Sequence, residues 1–168
     1  MKKKYVALLM LISLTSSILF SQGPIAKGQS QLNMGVGLSS WGVPVYVGMD
    51  FGVHKDVTLG FEFSYRAYHD RYNDYRYNHN ILGFSGNANY HFNSLLKIPT
   101  NWDVYAGINI GFYHWNSSSD YPGGYSSGLG VAGQIGFRYY FTSRLGVNLE
   151  FGGGNAFSGG KFGISLRL

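Results

Sequence analysis

The chain contains no cysteine, which excludes a disulfide framework, a thiolate metal site and a lipidated cysteine as means of holding or anchoring it. It is also poor in charge: Asp, Glu, Lys and Arg make up 12% of the 168 residues, about half of what a soluble domain carries. Only 4 prolines are present, and no Pro/Ser-rich or charge-biased linker divides the sequence, so one domain is expected. No stretch keeps apolar residues at helical spacing for three turns, which excludes a helical bundle. Glycine (25 residues) and aromatics (17%) are abundant instead. So many rings and so few charges also exclude a disordered chain.

The N-terminus opens with Lys2, Lys3 and Lys4, runs through an apolar stretch over residues 5–14, and breaks at Thr15, Ser16 and Ser17. This is the pattern of a secretory signal peptide, too short for a spanning helix of about 20 residues. Two cleavage points fit. One follows Ser21; the other follows Gly28, where Ala26-Lys27-Gly28 is small-x-small. The expected division is a leader over residues 1–28 and a single domain over 29–168. Loss of the three leading lysines leaves ten basic residues against eight acids, so no basic stripe remains and no nucleic-acid partner is expected.

From residue 31 onward the signal has period two. Residues 31–39 set Leu32, Met34, Val36 and Leu38 against Asn33, Gly35, Gly37 and Ser39. Residues 43–52 set Val43, Val45, Val47, Met49 and Phe51 against Pro44, Tyr46, Gly48, Asp50 and Gly52. Residues 57–66 set Val57, Leu59, Phe61, Phe63 and Tyr65 against Thr58, Gly60, Glu62, Ser64 and Arg66. Five further segments behave alike, over residues 82–92, 102–113, 129–141, 145–151 and 162–168. Successive side chains in a strand point to opposite faces, so each segment is a strand with one apolar and one polar face. Eight strands result.

Such alternation suits a soluble sandwich or lipocalin with its apolar face inside, or a membrane barrel with that face in lipid. The polar face decides between them. It is rich in Gly, Asn and Ser and carries a few long polar or charged groups, Glu62, Arg66, Gln134, Arg138, Glu150 and Arg167, which suits a narrow lumen. Turns after the second and sixth strands are short, and those after the third and fifth are long and polar, as in barrels with short periplasmic turns. The connection over residues 93–101 breaks that rule. Tyr90, Phe92, Trp102, Tyr139 and Phe141 mark one set of strand ends, and Trp41, Tyr65, Phe112 and Phe151 the other. These would form the two interfacial girdles.

On these eight segments, the leader and the final strand Phe162-Gly163-Ile164-Ser165-Leu166-Arg167-Leu168, the chain resembles the small eight-stranded outer-membrane barrels, the OmpX-like proteins and the OmpA transmembrane domain. The resemblance implies an all-β, antiparallel, up-and-down transmembrane barrel in the bacterial outer membrane. It also implies a monomer held in outer-membrane lipid and folded by the barrel-assembly machinery. The chain departs from the pattern at Leu168, where the family has an aromatic.

No motif points to a cofactor or a metal. Gly128-Leu129-Gly130-Val131-Ala132-Gly133 spells a dinucleotide fingerprint, but a strand follows it where that chemistry needs a helix N-terminus. The five histidines, His54, His69, His79, His91 and His114, lack metal-ligand spacing. A lipid-modifying enzyme would need a rim dyad, for which His69 with Asp70 and His114 with Ser117 are the candidates, each without a third orienting residue. No catalytic role is expected. Eight strands leave an interior just wide enough for side chains, which favours a structural or surface-interaction barrel over a narrow porin-like pore.

Two groups of residues are the candidate sites. Glu62, Arg66, Arg138, Glu150 and Lys161 fall on the polar face and are expected to form a lumen charge network, with Glu150 opposite Lys161 across the last hairpin. The segment 69–79, with Tyr72, Tyr75, Arg76 and Tyr77, reads as an outer loop of binding-surface composition for an extracellular protein or other surface ligand. The plainer alternative is a ribbon in which the two flanking strands simply continue, their tyrosines packing across it.

Overall fold

A computed structural model describes residues 24–40, 42–72, 75–117, 126–155 and 157–168, with the side chains of 69–72, 75–77 and 117 left aside. Eight strands follow one another: β1 (Ser30–Ser39), β2 (Val43–His54), β3 (Val57–Tyr72), β4 (Tyr75–His91), β5 (Trp102–Ser117), β6 (Gly128–Tyr140), β7 (Leu145–Gly154) and β8 (Gly159–Arg167). Each pairs antiparallel with its sequence neighbour, and β8 returns to β1, so the sheet closes without an edge. Closure satisfies the backbone of every strand by its neighbours, which is what allows a sheet to sit in hydrocarbon.

The barrel is inside out relative to a soluble protein. Val45, Phe63, Leu82, Phe84, Ile108, Ile110, Val131, Ile135, Phe162 and Ile164 point outward and are exposed. Asn33, Asp50, Arg66, Asn89, Asp103, Gln134, Arg138, Glu150 and Lys161 are buried inside. The period-two pattern dictates this, because each strand has only two faces and only one of them is apolar along its length. Aromatics pair at the end of the barrel where β1 begins: Tyr90 with Phe92 at 5.2 Å, Trp102 with Tyr139 at 4.8 Å, and Tyr139 with Phe141 at 5.4 Å between centroids.

Two sequence expectations change here. The connection over residues 93–101 contains a single helical turn, α1 (Asn93–Leu96), stopped by Lys97 in the left-handed region at φ 52°. More importantly, the segment 69–79, read as an outer loop, is sheet, which is the ribbon given as its alternative. The β3–β4 ladder runs unbroken from Val57↔Tyr90 to Tyr72↔Tyr75. Only residues 73–74, outside the described set, separate the two strands. Polar composition reads as loop, but pairing already established below propagates up both strands, and Tyr, Arg and His tolerate it.

The rim is therefore uneven. β2 follows β3 only as far as Val43↔Ala67, whereas β5 accompanies β4 to His79↔Ser117. On the opposite side β7 and β8 end at Gly152↔Gly159. The β3–β4 ribbon stands above its neighbours on one side of the barrel.

Candidate functional site

The lumen carries two charged centres. In the first, Lys161 on β8 places its ammonium 2.6 Å from Glu150 Oε1 on β7 and 2.8 Å from Glu62 Oε2 on β3. Glu150 and Lys161 are register partners across the hairpin, while Glu62 reaches in from the far wall. A buried ammonium loses its hydration, and two carboxylates at contact distance replace it.

The second centre lies nearer the end where β1 begins. Arg138 on β6 donates to Asp50 Oδ2 at 2.6 Å and to Asp103 Oδ2 at 3.2 Å. Asp103 Oδ1 lies 2.7 Å from His91 Nδ1, and His91 Nε2 lies 3.0 Å from Thr58 Oγ1. Thr58, His91 and Asp103 are fully buried. Arg138 was expected beside Glu150 and Lys161, and the structure corrects this. The guanidinium turns to Asp50 and Asp103, because the carboxylates around Lys161 already have their cation and Asp103 is its own register partner.

Tyrosines and glycines link the two centres. Tyr105 on β5, Gly136 on β6 and Glu150 on β7 lie in one register row. The Tyr105 ring crosses the glycine to donate to Glu150 Oε2 at 2.8 Å, and Arg138 sits over the same ring at 4.4 Å. Tyr46 on β2 crosses Gly35 and Gly163 in the same way to donate to Asn148 Oδ1 at 2.7 Å. From Asn148 the chain of bonds passes through Ser165 and Asn33 to Asp50. Tyr140 likewise lies beside Gly146 and donates to Gln31. Sequence reasoning took the lumen glycines as merely small; their function is to let a ring pass over one strand to a partner on the next. The signal was Tyr46, Tyr105, Tyr113 and Tyr140 standing on the Gly-rich polar face, but the pairing needs the register.

Arg66 lies over the rings of Tyr113 and Phe157 at 5.4 and 5.7 Å. Above it Ile81, Tyr113, Ala132 and Phe157 form an apolar cluster inside the outer end of the lumen, packed against Tyr68 and Trp115. The sequence assigned neither Ile81 nor Phe157 to the lumen, since each falls outside the alternating segments. One cavity among the charged centres, of about 20 Å³, is lined by Asn33, Asp50, Asn87, Asn89, Tyr105 and Lys161 among others. That is enough for about one water molecule.

Elsewhere, His114 points outward and meets Ser127 Oγ at 3.2 Å, and the same hydroxyl accepts the Trp115 N–H at 3.0 Å. The side chains of Ser117, His69 and Asp70 lie outside the described residues, as do those of Tyr72, Tyr75, Arg76 and Tyr77. Among the described residues no group of three or more His, Asp or Glu side chains is placed to hold a metal. The glycine-rich stretch 128–133 is the start of β6 and leads into more strand.

A closed eight-stranded sheet with an apolar exterior and a polar, ion-paired interior defines a transmembrane β-barrel. The family described as "Outer membrane protein beta-barrel domain" matches residues 12–165, and the chain belongs to it. It is an outer-membrane protein. Solved structures share the fold at low identity. OprG of Pseudomonas aeruginosa superposes with a TM-score of 0.64 at 8% identity, covering 89% of this chain and 99% of that one. The N-terminal barrel of Pseudomonas aeruginosa OprF gives 0.60 at 18%, covering 86% and 100%. Ail, the attachment invasion locus protein of Yersinia pestis, solved in complex with the heparin analogue sucrose octasulfate, gives 0.55 at 11%, covering 84% and 99%. No curated protein matches the sequence significantly.

Proposed function

We propose that this protein is a monomeric surface-interaction barrel, closed to solutes and without catalytic activity, that presents its β3–β4 ribbon to an anionic ligand outside the cell. The observation that carries this reading is the ladder continuing to Tyr72↔Tyr75 while β2 stops at Ala67. A ribbon raised above the rim is reachable by a partner that cannot enter the membrane. Its register sets Arg71 opposite Arg76. Like charges directly opposite destabilise a ladder, and an anionic partner removes that cost. The tyrosines add contact area at small entropic expense. Ail, with the same fold, was solved with a sulfated ligand.

The closed lumen rests on the two charged centres and the small space between them.

The experiment is a binding assay with the barrel in nanodiscs against a sulfated polysaccharide and against host-cell surfaces. Substituting Tyr72, Tyr75 and Arg76 by Ser should abolish binding and leave heat stability intact. If stability falls while binding to every surface is unchanged, the ribbon is structural and the proposal fails.

A further inference from the structure

Three connections close the end of the barrel where β1 begins, over residues 55–56, 92–101 and 141–144. The middle one, too long for a plain turn, is held in place by side chains. Asn93 donates to Trp102 O at 2.6 Å and accepts the Val104 N–H at 3.2 Å, and Ser94 donates to the Asp56 carboxylate at 2.5 Å. These bonds fix α1 against the barrel, yet its last two residues, Leu95 and Leu96, stay 65% and 62% exposed. They stand in the chain between Phe92 and Trp102, two of the aromatics that ring this end, and so extend the outward apolar belt. Lys97 follows at φ 52°, and it is the only non-glycine residue with positive φ among the described residues. Glycine is the usual residue at such a helix end, because it has no Cβ to clash. A lysine there gives the end of α1 a cation instead.

The exposed charge on these connections has one sign. Lys55, Lys97 and Arg144, one on each, are exposed, whereas the acids at this end, Asp50, Asp56 and Asp103, are 2%, 5% and 0% exposed. Asp50 and Asp103 are engaged by Arg138 inside the lumen. Asp56 lies 3.6 Å from the Lys55 ammonium, but the Lys55 side chain is still 71% exposed. We propose that the β4–β5 connection is a lipid anchor: Leu95 and Leu96 enter the periplasmic leaflet of the outer membrane, and Lys97, with Lys55 and Arg144, meets the phosphates of anionic phospholipid there. The leucines leave water for acyl chains, while the long basic side chains keep their charges at headgroup level. Each cation near an anionic leaflet adds to the attraction. The apolar pair adjoins the aromatic belt, which itself sits in the headgroup region; this continuity favours a lipid surface over a soluble protein. The inference shares with the proposed function the orientation that puts this end in the periplasm and the β3–β4 ribbon outside.

Because the chain has no cysteine, Leu96→Cys takes a single environment-sensitive fluorophore in the whole folded barrel, reconstituted in vesicles of phosphatidylcholine and phosphatidylglycerol in equal parts. Lipid brominated in the acyl chain should quench the label, and iodide present on both sides of the vesicle should not. With bromine carried by each lipid in turn, phosphatidylglycerol should associate at least about fivefold more strongly, roughly the effect of one cation at an anionic surface. High salt should remove the difference. Lys55→Gln, Lys97→Gln and Arg144→Gln together should bring the two lipids to parity in a barrel still folded by circular dichroism. Lys97→Gly alone, which eases the left-handed backbone, should weaken the preference without lowering stability. Quenching by iodide in place of brominated lipid would put the turn in water, as for a soluble partner or a second copy, and would overturn the anchor. Equal association of the two lipids with the labelled, otherwise unaltered barrel would overturn the anionic preference. Symmetric vesicles make both readings independent of which way the barrel inserts, so their failure leaves the ribbon proposal standing.

Discussion

Tyr105 reaches Glu150, two strands away, by lying across Gly136, and a methyl group on that glycine would stand 2.1 Å from the ring. The glycine is thus the condition for the bond. Without it β5 and β7 could communicate only through β6. The same arrangement at Tyr46, Gly163 and Asn148 stitches β2 to β7. Each such ring turns a neighbour-only sheet into a cross-braced cylinder.

Gly136→Ala should therefore destabilise the barrel by about 1–3 kcal/mol, the usual cost of forcing atoms into a packed interior. Gly133→Ala serves as the control, since its nearest neighbour stands 4.0 Å from the added carbon, on the outward face. Urea unfolding in detergent or lipid vesicles reads both. Equal effects would mean that the ring does not depend on the glycine.

Lys161→Met removes the cation shared by Glu62 and Glu150 and leaves two carboxylates facing each other in the lumen. Loss of one partner of a buried pair costs about 3–5 kcal/mol. Combining Lys161→Met with Glu62→Gln and Glu150→Gln should restore most of that stability, because no charge is then left alone. If the single and triple variants unfold at the same urea concentration, the centre does not behave as a dry ion pair.

Ile108 and Ile135 point outward from the middle of β5 and β6 and are 55% and 51% exposed. Arginine at either should cost about 2–4 kcal/mol, and arginine at Leu145, at the end of β7, about 0–1 kcal/mol, because the penalty falls toward the interface. Folding titrations into lipid vesicles would rank the three. An equal cost at all of them would place the apolar belt elsewhere on the barrel.

In planar bilayers the wild type should give no steady conductance, since the cavity among the charged centres admits about one water molecule. Replacing Arg138, Tyr105 and Lys161 together by Ala opens both centres at once and should produce discrete channel events. Conductance already present in the wild type, at the level of the triple variant, would make the protein a pore.

The local sequence determined which residues form strands, which of their two faces is apolar, and that there are eight strands, because alternation is a property of adjacent residues and needs no distant contact. Glu150 opposite Lys161 was legible for the same reason: a short hairpin fixes its own register. Arg138 was not. Its partner Asp50 lies 88 positions away in sequence, and only closure of β8 on β1 brings β2 across the lumen from β6. The tyrosine bridges depend on the relative register of three or four strands, which composition along any one of them does not encode. For the segment 69–79 the sequence left a polar outer loop and a continued ribbon both open; pairing begun between Val57 and Tyr90 carried it into the ribbon. Period two decided the faces, and the closed cylinder decided which side chains meet inside it, because distance across the lumen is set by barrel diameter and not by separation along the chain.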